Sequence, residues 1–514
     1  MNKFPENLQH EAFTNFLFYK MTNSPLSKKA YLIILDGYGL GNHDAGDAIF
    51  NGKSEYIDGL MKQYGYAQLK THGAVVGLPE FQTGGSEVGH ITIGAGREVK
   101  HLLTKINDQI DSGKFFTNEK LKRLMQSAKK QNILHITGLM SDGGIHSFIH
   151  HISGVVQMAQ QANIENIYVH AILDGRDVGE RTAKKYLTIL DNLGIKIASI
   201  GGRFYGMDRD NNWERVEEAV NCMIGVGSSV EENWKTALDT YYKISEDSDY
   251  YMPPVLLEKS GVITKDSVVI NINYRTDRMM MFSQKLLEFG VSSQNYGIFG
   301  PYSDDAIQPF NFGVSSVKNT IGEVVANAGG AQLRISETEK FNHVTFFMSG
   351  QTKIKFQNEE RILVPSPKCK SYAEKPEMSA REQTDALIEK VEKNEYNLII
   401  QNYANADLVG HSGSEKAVEK AVEVLDECLK KIIPFALKKG YQVFITADHG
   451  NGECMFTENG EVNSSHTKNF VPFIMVDENK ILKHRFGSLQ DIAPTLLKAL
   501  ELDIPKEMTG VELY

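Results

Sequence analysis

Cysteine is scarce. The four in 514 residues, Cys222, Cys369, Cys428 and Cys454, are far apart and show no C-x-x-C spacing. That excludes a disulfide-stapled scaffold and points to a reducing compartment. Positive charge is short as well: 55 Lys and Arg against 65 Asp and Glu give a formal net charge of −10. Nucleic acid or an acidic membrane surface would want a basic face, so neither is expected as a partner. No apolar run approaches the roughly 18 residues of a membrane helix. Residues 1–28 lack the basic-apolar-small layout of a signal peptide. A cytoplasmic location is expected. Residues 1–27 are expected to be a poorly ordered N-terminal extension, with Phe13, Phe16, Leu17 and Phe18 able to form a short amphipathic turn and Met21 an alternative start. Internal repeats and low-complexity segments are missing, as are the Walker loop and H-E-x-x-H, and G-Y-G-L-G-N at 37–42 fails the dinucleotide pattern.

What is present is an ordinary globular composition, 41% hydrophobic and 23% charged, in a chain long enough for two or three domains. The first strong strand, 30–35, is wholly apolar and ends at Asp36-Gly37. Such strands belong to parallel sheets covered on both faces, where ligands lie beyond the carboxyl ends. At 82–97 the chain reads Q-T-G-G-S-E-V-G-H-I-T-I-G-A-G-R, with Ser86 among Gly84, Gly85 and Gly89 and a run after it that can open a helix. A serine there either caps the helix or acts as a nucleophile, and a nucleophile needs a base or a metal to activate it.

Between a helical pattern at Leu102, Leu103 and Ile106 and the unpatterned return linker 301–317, four strands end in loops that carry His or Arg. The strand 133–140 leads to His146. The strand 167–173 leads to Arg176 and Asp177, 196–200 to Arg203 and Arg209, and 268–272 to Arg275 and Arg278. Loops at one edge of a parallel sheet converge, and guanidinium forks suit phosphate and carboxylate. Further on, a strand at 332–336 precedes Lys340, and V-T-F-F-M-S-G at 344–350 reads as another strand. The strand 397–403 leads to Asp407 and His411, which share one face if the segment is helical. Ser414 can cap a helix to about Lys438, with Pro434 bending or breaking it. The strand 442–447 ends in Asp448-His449, a later loop carries His466, and a last helix follows at D-I-A-P-T-L-L-K-A-L.

Asp36, Asp407, Asp448, His411, His449 and His466 all follow strand ends. Three carboxylates gathered without cations would repel and be costly to desolvate. Divalent ions offset both costs, and an oxygen–nitrogen donor set suits Mn²⁺ or Zn²⁺. A metal beside Ser86 would also lower the pKa of its hydroxyl. The reaction class this predicts is metal-assisted phosphoryl transfer through a phosphoserine.

Taken together, the motifs resemble the cofactor-independent (2,3-bisphosphoglycerate-independent) phosphoglycerate mutases of the alkaline phosphatase superfamily. They run from Tyr31 to Leu513: I-L-D-G-Y-G, G-S-E-V-G-H with I-G-A-G-R, S-D-G-G-I-H-S, D-G-R-D, G-G-R-F-Y-G-M-D-R-D, R-T-D-R, L-R-I-S-E-T-E-K, V-P-S-P-K, K-P-E-M-S-A, D-L-V-G-H-S-G, T-A-D-H-G-N, D-I-A-P-T and E-M-T-G. The resemblance implies an α/β chain of two domains. One is an alkaline-phosphatase-like three-layer sheet domain, discontinuous at 28–104 and 315–514, which binds metal. The other is an inserted α/β domain at 105–314, which binds substrate. Chain crossings near 101–108 and 311–318 would be hinges, and domain closure would exclude water.

By the same resemblance two Mn²⁺ ions are bound, other divalent metals being possible. Asp407, His411 and His466 hold one; Asp36, Ser86, Asp448 and His449 hold the other. His146, Arg176, Asp177, Arg203, Arg209, Arg275 and Arg278 would hold glycerate and its phosphate. Lys340 would contact the phosphoryl group, and Asp177 would serve the glycerate hydroxyls as acid and base. The implied activity interconverts 3-phosphoglycerate and 2-phosphoglycerate through Ser86 in a monomer, without 2,3-bisphosphoglycerate. A superfamily phosphatase or phosphopentomutase is the alternative. Thr83-Gly84-Gly85 stands where the family usually has Met-Gly-Asn, so Gly85 is expected to loosen the nucleophile loop. Ala406 and Asn342 replace prolines, and Asn463 replaces a frequent additional His. Every expected ligand is retained.

Overall fold

The computed structural model describes residues 26–514 except 228, 301–306, 308, 311 and 313–316. The N-terminal extension, including Phe13, Phe16, Leu17, Phe18 and Met21, lies outside the described residues apart from residues 26 and 27. So does most of the 301–317 linker. The chain divides into two compact units, Met1–His101 with Ser315–Tyr514, and Leu102–Val314.

The first unit is built on an eight-stranded sheet in the order Glu359–Val364, Gln332–Glu337, Leu398–Tyr403, Ala30–Leu35, Gln442–Thr446, Val471–Val476, Ala67–Lys70, Phe486–Ser488. Ala30–Leu35 is paired in parallel on both sides, with Leu398–Tyr403 and Gln442–Thr446. All six of its residues are buried, which is why its sequence is apolar without alternation. Val471–Val476 runs antiparallel to both of its neighbours. Parallel pairing brings the carboxyl ends of Ala30–Leu35, Leu398–Tyr403, Gln442–Thr446 and Gln332–Glu337 to one edge of the sheet.

One expectation, a bend or break at Pro434, loses its second half, and another is corrected. The helix Glu415–Lys438 runs through Pro434 without breaking. Ile432, Ile433 and Ala436 are buried around the proline, and that burial outweighs the roughly 3 kcal/mol an interior proline costs. The stretch 344–350 is not a strand; His343–Phe347 is a π-helical turn. Val344 and Met348, four apart, are both fully buried while Phe346 and Phe347 between them are not, so the period is helical.

The second unit has a seven-stranded sheet in the order Ser229–Val230, Val255–Leu256, Lys196–Gly202, Asn166–Leu173, Ile133–Leu139, Val269–Asn271, Tyr296–Ile298. The four strands from Lys196–Gly202 to Val269–Asn271 are adjacent and parallel, so their following loops share one edge. No helix among the described residues is long and apolar enough to cross a membrane. All four cysteines are free thiols.

Candidate active site

Ser86 is the first residue of the helix Ser86–Ala95, after Gly85 at the N-cap. The helix therefore directs its free N–H groups and positive dipole end toward whatever the serine holds. Gly84 is required by packing, because a Cβ there would lie 2.0 Å from the Thr71 carbonyl oxygen. Gly85 is different. Its backbone is extended, which any residue adopts, and a Cβ would lie 3.3 Å from His466 Nδ1.

The Ser86 hydroxyl sits among three strand-end groups. Its Oγ donates to Asp36 Oδ1 at 3.2 Å and lies 3.0 Å from His449 Nε2. Lys340 Nζ donates to Ser86 Oγ at 2.6 Å, to Asp36 Oδ1 at 2.7 Å and to Asp407 Oδ2 at 2.6 Å. Asp36, Asp407, Asp448, His449 and Lys340 are all buried. Burial alone would raise the Asp36 and Asp407 carboxyls. The Lys340 ammonium and nearby imidazoles overcome that and hold both well below the usual carboxylate range. Burial likewise opposes the charge on Lys340, but Asp36, Asp407 and Asp448 raise it above an ordinary lysine. His449 is pushed up to about 10 by the carboxylates around it, against its burial.

Asp407 and His411 lie one helical turn apart, with His411 Nε2 3.3 Å from Asp407 Oδ1; His466 Nε2 is 3.1 Å from the same oxygen. His411 Nδ1 faces the Ser464 carbonyl at 2.7 Å, and His466 Nδ1 faces the Gly84 carbonyl at 3.0 Å. A carbonyl only accepts, so each Nδ1 carries a hydrogen. In the neutral rings the two Nε2 lone pairs then face one another at 3.2 Å beside a carboxylate oxygen. Facing lone pairs repel unless a cation lies between them. Asp448 Oδ2 is a second sign of the same need, being buried without a hydrogen-bond partner. Asp407, His411 and His466 converge as one metal-competent group, and Asp36, Asp407 and His449 as another. The donor set, carboxylate and imidazole without thiolate, fits divalent ions.

In the second unit Arg203 is buried at the centre of the strand-end loops. Its Nη1 donates to Asp174 Oδ1 at 2.7 Å and Asp177 Oδ2 at 2.6 Å, and its Nη2 lies 2.8 Å from His146 Nε2. Arg203 only donates, so His146 Nε2 accepts and its hydrogen sits on Nδ1, which is buried with no partner. That is a donor left for a ligand oxygen. Burial first, then Arg203 and the other arginines, hold His146 well below the ordinary imidazole value. Burial and Asp174 push the Asp177 carboxyl up despite Arg203. Arg209 Nη1 and Arg275 Nε both donate to Asp277, at 2.7 and 3.0 Å. Arg278 Nη1 donates to the Met207 carbonyl at 3.1 Å. Arg176 is exposed, within electrostatic reach of Asp177.

Several supporting residues have no signal of their own in the sequence. Asp174 accepts from Ser141 Oγ and from the backbone N–H groups of Arg176 and Asp177, so it shapes the loop those two share. Asn451 Nδ2 donates to Asp407 Oδ1 at 3.0 Å. Glu453 is buried and accepts from the Asn451 N–H and the Asn469 side chain, tying the Asp448 loop to the one after His466. Asp174, Asn451 and Glu453 lie inside quoted motifs or next to them, and proximity to a strand end is the one clue that could have raised them.

A model of the Metalloenzyme superfamily matches residues 28–504 of the chain. A 2,3-bisphosphoglycerate-independent phosphoglycerate mutase from Parabacteroides distasonis is 42% identical over 508 residues, 95% of this chain and 100% of that protein. Its counterpart from Clostridium botulinum is 41% identical over 510 residues, again 95% and 100%. Among solved structures, phosphoglycerate mutase of Leishmania mexicana at low cobalt concentration aligns with a TM-score of 0.77 at 28% identity, covering 95% of this chain and 98% of that one.

Proposed function

The chain belongs to the 2,3-bisphosphoglycerate-independent phosphoglycerate mutases of the Metalloenzyme superfamily, and on that premise we propose that it interconverts 3-phosphoglycerate and 2-phosphoglycerate through a phosphoserine on Ser86. The observation that carries the reading is the convergence of Lys340, Asp36 and His449 on Ser86 Oγ within 3.2 Å. A bare serine needs such activation.

Asp407, His411 and His466 would hold one Mn²⁺, and Asp36, Ser86, Asp448 and His449 the second, with other divalent ions able to substitute. Bound there, such ions would lower the pKa of the serine hydroxyl and stabilise charge on the phosphoryl oxygens. Ser86 Oγ, its proton given up to solvent beforehand, forms a bond to phosphorus as the bond from phosphorus to the glycerate 3-oxygen breaks, and it leaves again as the alkoxide in the return step. Asp177, with its raised carboxyl, gives that oxygen a proton. The glycerate turns without leaving, and its 2-hydroxyl yields a proton to Asp177 as it takes the phosphoryl group back. Lys340 brings positive charge to the transferring group. His146, Arg176, Arg203, Arg209, Arg275 and Arg278 hold the glycerate anion, the last five as guanidinium partners. The same phosphate serves both half-reactions, so 2,3-bisphosphoglycerate is not required. We also assign the chain to the cytoplasm as a monomer; its four free thiols support a reducing compartment.

An enolase-coupled assay without 2,3-bisphosphoglycerate tests the reading. EDTA should silence the enzyme and Mn²⁺ should restore it. Net phosphate release from 3-phosphoglycerate, or turnover of ribose phosphates instead, would replace the reading by a superfamily phosphatase or phosphopentomutase.

A further inference from the structure

His90 lies one turn after Ser86 on the same helix and is fully buried. Both of its ring nitrogens are committed. Nδ1 is 2.8 Å from the Ser86 carbonyl oxygen and 3.3 Å from Asp448 Oδ2. Nε2 is 3.1 Å from Asn402 Nδ2. The orientation of Asn402 is set independently, because the same Nδ2 donates to Asp36 Oδ2 at 2.7 Å and a carboxylate only accepts. One Asn402 hydrogen therefore goes to Asp36 and the other to His90 Nε2. Nε2 accepts, so the ring hydrogen is on Nδ1 and faces the Ser86 carbonyl and Asp448. A single continuous chain of hydrogen bonds results, Asp36, Asn402, His90 and the nucleophile's own carbonyl, with Asp448 Oδ2 lying 3.3 Å from His90 Nδ1 without a hydrogen bond to it.

We propose that His90 is a positioning residue that locks the Ser86 turn to the Asp36 carboxylate through Asn402 and packs its ring edge against the Asp448 carboxylate. It thereby fixes where Ser86 Oγ stands and how the second metal's carboxylates point. The proposal rests on the reading of Ser86 as the phosphoryl carrier. Asp36, His90 and Asp448 offer ligand atoms close enough together to hold an ion themselves. The hydrogen-bond directions argue against a ligand role, since one nitrogen presents a hydrogen and the other receives one. A residue acting through its neighbours' orientation typically shifts metal affinity or activity by roughly 10- to 100-fold when replaced.

The test uses the full chain as His90→Leu, His90→Asn and His90→Gln. Asparagine can keep the donor toward the Ser86 carbonyl, and glutamine can keep the acceptor for Asn402. Two quantities are measured: Mn²⁺ binding to the EDTA-treated protein by calorimetry, and kcat and KM for 3-phosphoglycerate in the Mn²⁺-loaded protein. The expected result for His90→Leu is Mn²⁺ affinity at one of two sites weakened about 10- to 100-fold, with stoichiometry unchanged. kcat should fall by a similar factor while KM stays within about twofold, because the groups that hold the glycerate are untouched. One polar variant should recover most of the loss. Loss of one Mn²⁺ from the stoichiometry would overturn the proposal by making His90 a ligand. Unchanged affinity and kcat in the three variants would overturn it as well, as would a lowered melting temperature with normal kcat. If His90→Leu does not fold, the two polar variants carry the test. If the wild-type chain binds two Mn²⁺ but turns over no phosphoglycerate, the functional reading has failed, while the binding measurement still judges His90.

Discussion

Lys340 Nζ lies 2.6 Å from Ser86 Oγ, and the same ammonium bridges Asp36 and Asp407. One buried cation thus neutralises two carboxylates and touches the nucleophile. Replacing it by methionine leaves those buried carboxylates without the ammonium between them, which costs on the order of 3–5 kcal/mol in the metal-free protein. Lys340→Met should therefore melt below the wild type without metal and regain most of the difference in saturating Mn²⁺. Its kcat should remain roughly 100- to 1000-fold low when loaded, as for other lost charge-stabilising donors. Thermal unfolding with and without Mn²⁺, together with the coupled assay, checks both halves.

The two glycines before Ser86 should differ sharply. A Cβ on Gly84 would meet the Thr71 carbonyl oxygen at 2.0 Å, a backbone atom that cannot move aside alone. A Cβ on Gly85 meets the His466 ring at 3.3 Å, in an extended backbone that tolerates any residue. Gly84→Ala should displace the nucleophile turn and remove most activity, while Gly85→Ala should stay within a few-fold of wild type. Equal losses in the coupled assay would count against this account of the loop.

Arg209 is bound to the rest of its unit by an exposed pair with Asp277, 45% and 35% accessible at the side chain. Exposed pairs add little stability, so Arg209→Ala should unfold within about 0.5 kcal/mol of wild type. Its effect should fall on substrate binding: KM for 3-phosphoglycerate raised, kcat changed much less. A fall in kcat at unchanged KM would move Arg209 out of the substrate-holding set.

Glu337 gives a pH dependence with a definite sign. It is fully buried, Ser366 Oγ donates to its Oε2 at 2.8 Å, and its Oε1 has no partner. Burial pushes its carboxyl up to about 7 from the ordinary 4.5. Between those values the folded chain keeps a proton that the unfolded chain has lost, so stability falls as pH rises through this window. The full penalty, on the order of 3 kcal/mol, is present above the folded value. Glu337→Gln is neutral at every pH and escapes it. Urea unfolding at pH 5 and pH 8 should show the variant gaining on wild type as pH rises; a constant difference would refute the assignment.

The sequence made the strand ends legible because a parallel sheet sends its following loops to one edge. Asp36, Asp407, Asp448 and Arg203 could be singled out from position alone, and the structure gathers each with its neighbours. What it left unreadable were groups whose role is a direction rather than a place. Asn402 is the fifth residue of the strand Leu398–Tyr403, and His90 lies within an apolar helix, so neither differs in pattern from a core polar residue. Pro434 and the 344–350 stretch misled for a related reason. Local propensity argued for a bend or a break and for a strand; packing of Ile432 and Ile433 keeps the helix unbroken, and packing of Val344 and Met348 makes the second stretch helical.

Everything proposed for this site depends on Ser86 carrying the phosphoryl group between the two glycerate oxygens. The most direct measurement is mass spectrometry of peptides from the Mn²⁺-loaded enzyme, acid-quenched within milliseconds of mixing with 3-phosphoglycerate. A phosphate on Ser86 should build up before steady state and be missing from the Ser86→Ala variant, which should also lose mutase activity. Phosphate on another residue, or a Ser86→Ala enzyme that still interconverts 3-phosphoglycerate and 2-phosphoglycerate at the wild-type rate, would contradict it.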